Sequence, residues 1–280
     1  MPPDWDYLPA QIHHKRYRIV PFSRMVSEYS LIWLLAVTGY NGAMPGIEME
    51  ASGGMADEEI QRYFAVAAPG LEPYTALELE GLAGHPGSQI RLEVGKARQK
   101  LAGEGGVPFM GDQRDLMRAN LHLRTASRVL ARLGEFYAAA FSELRKKAGR
   151  LPWERYLRPG QPIQIRATTH KSRLYHSGAV EERIAGAIAD RLGAAPELRK
   201  PGGEEDIAPP LLVVVRLVQD FCTLSIDSSG ELLHRRGYRL ATAKAPLRET
   251  LAAGLLMAAG WDPRRPFLDP FCGSGTLPIE

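Results

Sequence analysis

The stretch Pro266-Phe267-Leu268-Asp269-Pro270-Phe271-Cys272-Gly273-Ser274-Gly275-Thr276-Leu277-Pro278-Ile279-Glu280 decides how the chain is read. Phe267 and Leu268 read as the end of a buried strand, which Asp269-Pro270 stops. Gly273 and Gly275 permit backbone angles and close approaches that a Cβ forbids. Thr276 to Glu280 reads as a helix start, because proline is tolerated in a first turn and an acid there suits the helix dipole. Strand, glycine turn and helix start make the opening unit of a nucleotide-type α/β fold, whose ligand lies outside the strand's carboxyl end.

Spacing narrows the ligand. A phosphate-cradling loop of the GxxxxGK[ST] type needs a lysine, and none follows Gly275. A dinucleotide loop needs a third glycine where this chain has Pro278. What remains is an acid at the strand tip and a tight, uncharged turn, which suits a cationic, phosphate-free ligand carrying an ammonium or sulfonium group. A bare Gly-Ser-Gly also serves an ordinary βα turn, but the full string Asp269 to Thr276 is far more restrictive. Cys272 has no base beside it in sequence and reads as a small packing residue.

At 280 residues, 45% hydrophobic and 24% charged, the chain has a globular composition and room for two domains. Lys and Arg number 35 against 32 Asp and Glu, so a net charge of +3 does not by itself mark a nucleic-acid binder. The distribution says more. Between Phe141 and Arg183 ten basic residues stand against four acids, and between His234 and Arg248 five basic residues meet no acid. From Pro201 to Leu233 the sign reverses, with Arg216 alone among acids. Such runs fit either solvated helix faces or a surface turned toward a phosphate backbone. The two cysteines, Cys222 and Cys272, lie far apart and no His/Cys cluster has metal-ligand spacing, so a reducing, cytoplasmic setting without a metal is expected.

Residues 1–54 hold a basic run, His13 to Arg18, and an uncharged stretch from Tyr29 to Ile47. Its densely apolar part, Ser30 to Val37, is too short to cross a membrane. A long charged region ahead of it argues against a secretory signal. The segment is expected to be an extension or tail before a natural start at Met55.

From Arg62 onward the pattern becomes regular. Tyr63 to Ala67 reads as a strand, and Leu71, Thr75, Leu79 and Leu82 share one helical face. Ile90 to Val94 and Val107 to Met110 read as strands around a polar insertion. Leu116, Ala119, Leu123, Ala126, Val129/Leu130 and Leu133 recur at helical steps and predict one long amphipathic helix, followed by a strand at Phe136 to Ala139. Strand-helix-strand-strand-helix-strand is the ferredoxin-like order, placed at 62–140. A second unit, 141–239, has a helix over Phe141 to Ala148 and a strand at Ile163 to Thr168. A helix with Val180, Ile184, Ala187/Ile188 and Leu192 inward follows, then strands at Leu211 to Val218 and Phe221 to Ile226, closed by the turn Asp227 to Gly230. Residues 244–280 open a third unit. Its helix starts near Pro246, has Leu247, Leu251, Leu255 and Ala258 as its apolar face, and stops at Gly260.

Asp269 to Thr276 resembles motif I of S-adenosylmethionine-dependent methyltransferases that act on nucleic acid. Tyr63 to Gly70, Met117 to Leu121, Ser172 to His176 and Asp227 to Tyr238 are similar, in the same order, to the THUMP-containing RNA (guanine-N2) methyltransferases. The resemblance covers roughly Arg62 to Glu280. It implies an α+β chain with a ferredoxin-like domain, a THUMP RNA-binding domain, and the first strand-turn-helix of a Rossmann-like methyltransferase domain. It also implies that Asp269, Pro270, Phe271, Cys272, Gly273, Ser274, Gly275 and Thr276 hold S-adenosyl-L-methionine, with Pro246, Leu247 and Thr250 lining the same site.

The RNA-facing candidates are Lys171, Arg173 and His176 on one strand-to-helix loop, and Arg235, Arg236 and Arg239 around Gly237-Tyr238. Tyr175 could stack on a base but reads rather as a core residue. The implied partner is structured RNA, ribosomal rather than transfer RNA. DNA amino-methyltransferases share the motif I string, but where it comes late an [ND]-P-P-[YFW] motif precedes it. The nearest match, Ala208-Pro209-Pro210-Leu211, lacks the acid and the aromatic. An RNA-binding module without its own catalysis is the second alternative. Since the motif that would position a guanine amine is expected beyond Glu280, no catalytic residue is assigned and this stretch alone is expected to be inactive.

Overall fold

The computed structural model describes residues 59–92, 105–199, 210–235 and 247–280. The expected extension or tail at 1–54, the expected start at Met55, most of the polar insertion, and Arg236, Arg239 and Pro246 lie outside the described residues.

The strand β1 (Gln61–Ala67), with Tyr63, Phe64 and Ala65 buried in succession, leads through the left-handed Gly70 into α1 (Glu72–Ala83). Then come β2 (Arg91–Leu92), β3 (Gly106–Gly111), α2 (Gln113–His122) and the long β4 (Ala126–Tyr137). The second unit contains α3 (Phe141–Ala148), β5 (Pro162–His170), α4 (Ser177–Leu192), β6 (Glu197–Leu198), β7 (Leu211–Val218) and β8 (Phe221–Asp227). Helices α5 (Glu249–Ala258) and α6 (Thr276–Ile279) follow.

All strands join in one eight-stranded mixed sheet of order β2-β3-β1-β4-β8-β7-β5-β6. The two units meet through β4, whose first part pairs with β1 (Tyr63 opposite Ala131) and whose later part pairs with β8 (Ala131 opposite Ile226). Side chains of paired residues point to the same face. Phe109, Tyr63, Ala131, Ile226, Val213 and Ile165 therefore form one row across six strands, and each is buried. On this face, Ala76, Leu79 and Ala119 close the first core, while Leu144, Trp153, Val180, Ile184 and Ile188 close the second. A register shift between Arg132 and Gly134 marks a bulge in β4. A Cβ on Gly134 would stand 2.5 Å from Leu151, so the strand is pressed onto the second core there.

The long helix expected over Leu116 to Leu133 is a helix and a strand instead. α2 starts at a reciprocal capping box between Asp112 and Asp115 and stops at His122. Beyond it, the amides of Arg124 and Thr125 and the Thr125 hydroxyl donate to the Glu78 carboxylate, and so leave the helical ladder. The next residues gain strand partners on both sides, which outweighs their helical spacing. The strand expected at Phe136 to Ala139 is the end of this same β4.

The third unit also differs in detail. Phe267 and Leu268 form no strand and pair with none of the described strands, and Leu268 is 87% exposed. In α5 the expected apolar face is reversed. Thr250, Ala253 and Gly254 are buried, whereas Leu251 and Leu255 are exposed. A Cβ at Gly254 would meet Leu71 at 2.4 Å, so small residues bring α5 close against the start of α1.

Because β4 belongs to both halves, truncating either core is expected to shift one common urea transition. Phe109→Ala and Leu224→Ala should each cost about 2–5 kcal/mol, read by circular dichroism and tryptophan fluorescence together. Two separate transitions would show that the halves unfold independently.

Candidate functional site

The β7–β8 connection is the two-residue turn Gln219-Asp220, both with positive φ (52° and 65°), as a tight hairpin requires. Asp220 then ties together three chain segments. Its carboxylate accepts from the Arg173 amide at 2.6 Å and the Tyr137 hydroxyl at 3.3 Å, and lies 3.7 Å from the Arg173 guanidinium. Its amide donates to the Ser172 hydroxyl, and its carbonyl accepts from the Ala138 amide. The β5–α4 loop, the end of β4 and the hairpin are thus held as one edge.

Lys171, itself in the left-handed region (φ 49°), is exposed on this edge, as are His176 and the 75% exposed Arg173 side chain. The structure therefore brings Lys171, Arg173 and His176 together, as expected. Tyr175 is not a core residue: it is 67% exposed, with its ring 4.1 Å from that of His176. Leu174, buried at 4% exposure, takes the inward place and turns its neighbour out. Sequence reading missed Asp220, whose acid looked like part of a negative run. It also missed the exposure of Tyr137 and Phe221 beside it.

Arg235, also exposed, lies beyond the other end of β8 and does not join this edge. There the turn Asp227 to Gly230 is stitched to the first unit. The Asn120 amide donates to Ser228, Ser229 donates back to the Asn120 carbonyl oxygen, and Ser229 also accepts from the Val129 amide. Asp227 pairs with Arg128 and accepts from the Ser229 amide. Burial pushes the Asp227 carboxyl above the ordinary carboxylate range, and the Arg128 guanidinium works against that rise. The Asn120 and Asp227–Ser229 motifs, distant in sequence, meet here as a structural joint.

The donor-loop candidates form a turn ahead of α6. Gly273 and Gly275 both have positive φ (54° and 73°), the Asp269 carboxylate accepts from the Phe271 amide, and the Gly275 amide donates to the Cys272 carbonyl. Neither glycine is crowded, so their conformation rather than lack of space demands glycine. Thr276 donates to the Leu247 carbonyl and is buried, as is Thr250, so both ends of the expected site converge. Pro270, Phe271, Cys272 and Ser274 line the outside of the same turn, Phe271 being 91% exposed. Arg124, next to the start of β4, donates to the Glu280 carbonyl at 2.9 Å and so links α6 to the first unit. Among the described residues, no acid, His and Cys cluster could hold a metal, and no helix is long and apolar enough to cross a membrane.

A cationic edge, a stitched joint and an uncharged glycine turn stand in this order on an α+β chain, and comparison with known proteins identifies its class. Residues 62–130 match the RlmL ferredoxin-like domain, 138–227 the THUMP domain, and 236–280 the RMKL-like methyltransferase domain. The chain belongs to the family of THUMP-containing methyltransferases. It is 37% identical over 218 residues to a protein of Synechocystis named "Putative RNA methyltransferase", covering 78% of this chain and 53% of that protein. It is 35% identical over 223 residues to "Ribosomal RNA large subunit methyltransferase K/L" of Syntrophotalea carbinolica, covering 78% of this chain and 29% of that protein. Among solved structures, one described as a predicted N6-adenine-specific DNA methylase from Listeria monocytogenes matches with TM-score 0.65 and 36% identity, over 79% of this chain and 54% of that one. A structure described as "a putative methyltransferase complexed with SAH" matches with TM-score 0.65 and 30% identity, over 79% of this chain and 54% of that one. The chain thus spans about half the length of the first of these relatives and under a third of the second.

The two cysteines should separate cleanly under alkylation. Burial pushes the Cys222 thiol up to about 12, while Cys272 is exposed. Iodoacetamide at about pH 8 is expected to label Cys272 and spare Cys222 in the folded chain, as peptide mass mapping would show. Labelling of Cys222 at a comparable rate would contradict the packing of the second core.

Proposed function

We propose that this chain carries the RNA-gripping part and the donor loop of an S-adenosylmethionine-dependent RNA methyltransferase acting on guanine N2 of ribosomal RNA. The assignment divides it into a ferredoxin-like unit at 62–140, a THUMP unit at 141–239 and the opening of a methyltransferase unit at 244–280, with 1–54 as an extension. The observation that carries the reading is the Pro270–Thr276 turn. It is uncharged, has two left-handed glycines, and follows the half-buried carboxylate of Asp269. A phosphate would find no cation in that turn, whereas a sulfonium meets an acid. S-adenosylmethionine bound there supplies an electrophilic methyl group. Asp269, Gly273, Gly275 and Thr276 would cradle its methionine part, with Leu247 and Thr250 behind them, and Pro270, Phe271, Cys272 and Ser274 completing the turn. The relative solved with SAH supports that donor, and the relative named for large-subunit ribosomal RNA supports that substrate.

Lys171, Arg173 and His176 serve as the phosphate contacts, with Arg235 as a separate contact near the joint. A cytoplasmic setting goes with such an RNA. The relative described as a DNA methylase offers a competing substrate, but the cationic edge is built on a THUMP unit, and no [ND]-P-P-[YFW] motif precedes Asp269.

Two substitutions test the halves separately. Lys171→Ala with Arg173→Ala is expected to weaken RNA binding and lower the salt slope by up to about 2, leaving donor binding unchanged. In the intact gene product, Asp269→Ala should weaken S-adenosylmethionine binding, measured by calorimetry, with RNA affinity preserved. Retained donor binding in that variant, or retained RNA affinity in the double variant, would overturn the corresponding half.

A further inference from the structure

The end of the sheet held by Asp220 has a second surface that the loop contacts above leave unused. Tyr137 of β4 pairs with Phe221 of β8, Phe221 with Val218 of β7, and Val218 with His170 of β5. This row points to the face opposite Ile226 and Val213, on which none of the described helices packs. Tyr137 is 50% exposed and Phe221 47%, and His170 is exposed as well. One row further in stand Glu135, Thr223, Arg216 and Thr168, and beyond them Arg132, Ser225, Val214 and Arg166. A shallow depression of about 260 Å³ opens between β5 and β7, lined by Thr168, His170, Arg216 and Val218 among others.

Paired across the two strands, the half-exposed rings of Tyr137 and Phe221 form one small aromatic surface. The Tyr137 ring is tethered by its hydroxyl, which donates to Asp220 at 3.3 Å, while the backbone carbonyl of the same residue accepts from Lys147 at 2.7 Å. Such a ring loses little entropy when something stacks on it. The surrounding charge narrows the partner: Arg173 lies 3.7 Å from the same Asp220 carboxylate that takes the Tyr137 hydroxyl, the exposed Lys171 directly follows His170, and Arg166 lies further along the same face. Bases inside an A-form helix are covered by their neighbours and cannot reach a ring, whereas unpaired bases can.

Resting on the RNA reading above, we propose that this sheet face is a stacking platform for an unpaired segment of the substrate RNA. Bases lie on Phe221 and Tyr137, and the phosphates that follow are held by Lys171 and Arg173. The platform thereby distinguishes a loop or single-stranded flank from continuous duplex, which the cationic loop alone does not.

The experiment compares binding of the full chain to a single-stranded RNA of about 12 nucleotides and to an RNA duplex of about 16 base pairs. Phe221→Leu and Tyr137→Leu keep apolar bulk but remove the ring. Each is expected to weaken single-strand binding by about tenfold, with the salt slope and duplex affinity unchanged. Unaltered single-strand affinity in variants that melt like the parent would overturn the platform, as would an equal loss on duplex. Should the leucine variants melt early, Phe221→Trp and Tyr137→Trp decide. Their larger rings must hold or raise single-strand affinity, and a loss overturns the proposal. If the chain binds no RNA at all, the functional reading falls with it. If binding depends on Lys171 and Arg173 but ignores both rings, only the platform falls.

Discussion

Everything in this molecule is positioned by one buried row: Phe109, Tyr63, Ala131, Ile226, Val213 and Ile165, side by side across six strands. Ala131 is the shared member, since β4 uses both of its edges. Two units that could have been joined by a linker are instead one hydrogen-bonded slab, with helices of both on the same face. Relative motion between them would break paired backbone groups in the interior, and each left unsatisfied is expensive. The consequence is orientation. The cationic loop of one unit and the α1 helix of the other hold fixed places relative to each other.

Polar groups then fasten what the apolar row has aligned. Glu78 ends α2 by taking the amides of Arg124 and Thr125. Asp115 is fully buried and accepts from Ser88, the amides of Gln89 and Asp112, and Arg118. Asp220 does the same for the cationic edge, and Asn120 with Asp227 for the joint. Each is a buried or half-buried acceptor surrounded by donors, the condition under which burying polarity is tolerated. By contrast, Arg145 with Asp190 and Arg191 with Glu154 are exposed bidentate pairs between α4 and its neighbours. Part of the basic run that suggested a phosphate surface is therefore neutralised by partners inside the protein. The cations left unpaired in this stretch are fewer than composition implies.

How much was legible in the sequence depended on whether local pattern and tertiary pairing agreed. Strands β7 and β8 and helices α3 and α4 were read at nearly their true bounds, because their apolar spacing matches how they are buried. The Leu116 to Leu133 segment was misread because its spacing suits a helix, while strand partners distant in sequence claim its second half. Leu251 and Leu255 were assigned inward on hydrophobicity, but Thr250, Ala253 and Gly254 are what permit α5 to approach Leu71. The left-handed glycines of the donor turn were visible, since only glycine suits them. Asp220, Tyr137 and Phe221 were not, because a hairpin turn and a strand end carry no signal of what the fold will bring beside them.

The length of β4 has a further meaning. Its twelve residues run from the donor-loop side, where Arg124 reaches Glu280, to the ring of Tyr137. At strand rise this is roughly 35 Å, on the order of one turn of a nucleic-acid helix. A single unbroken strand of this kind acts as a gauge. It keeps the Asp220 edge and the glycine turn a set distance apart.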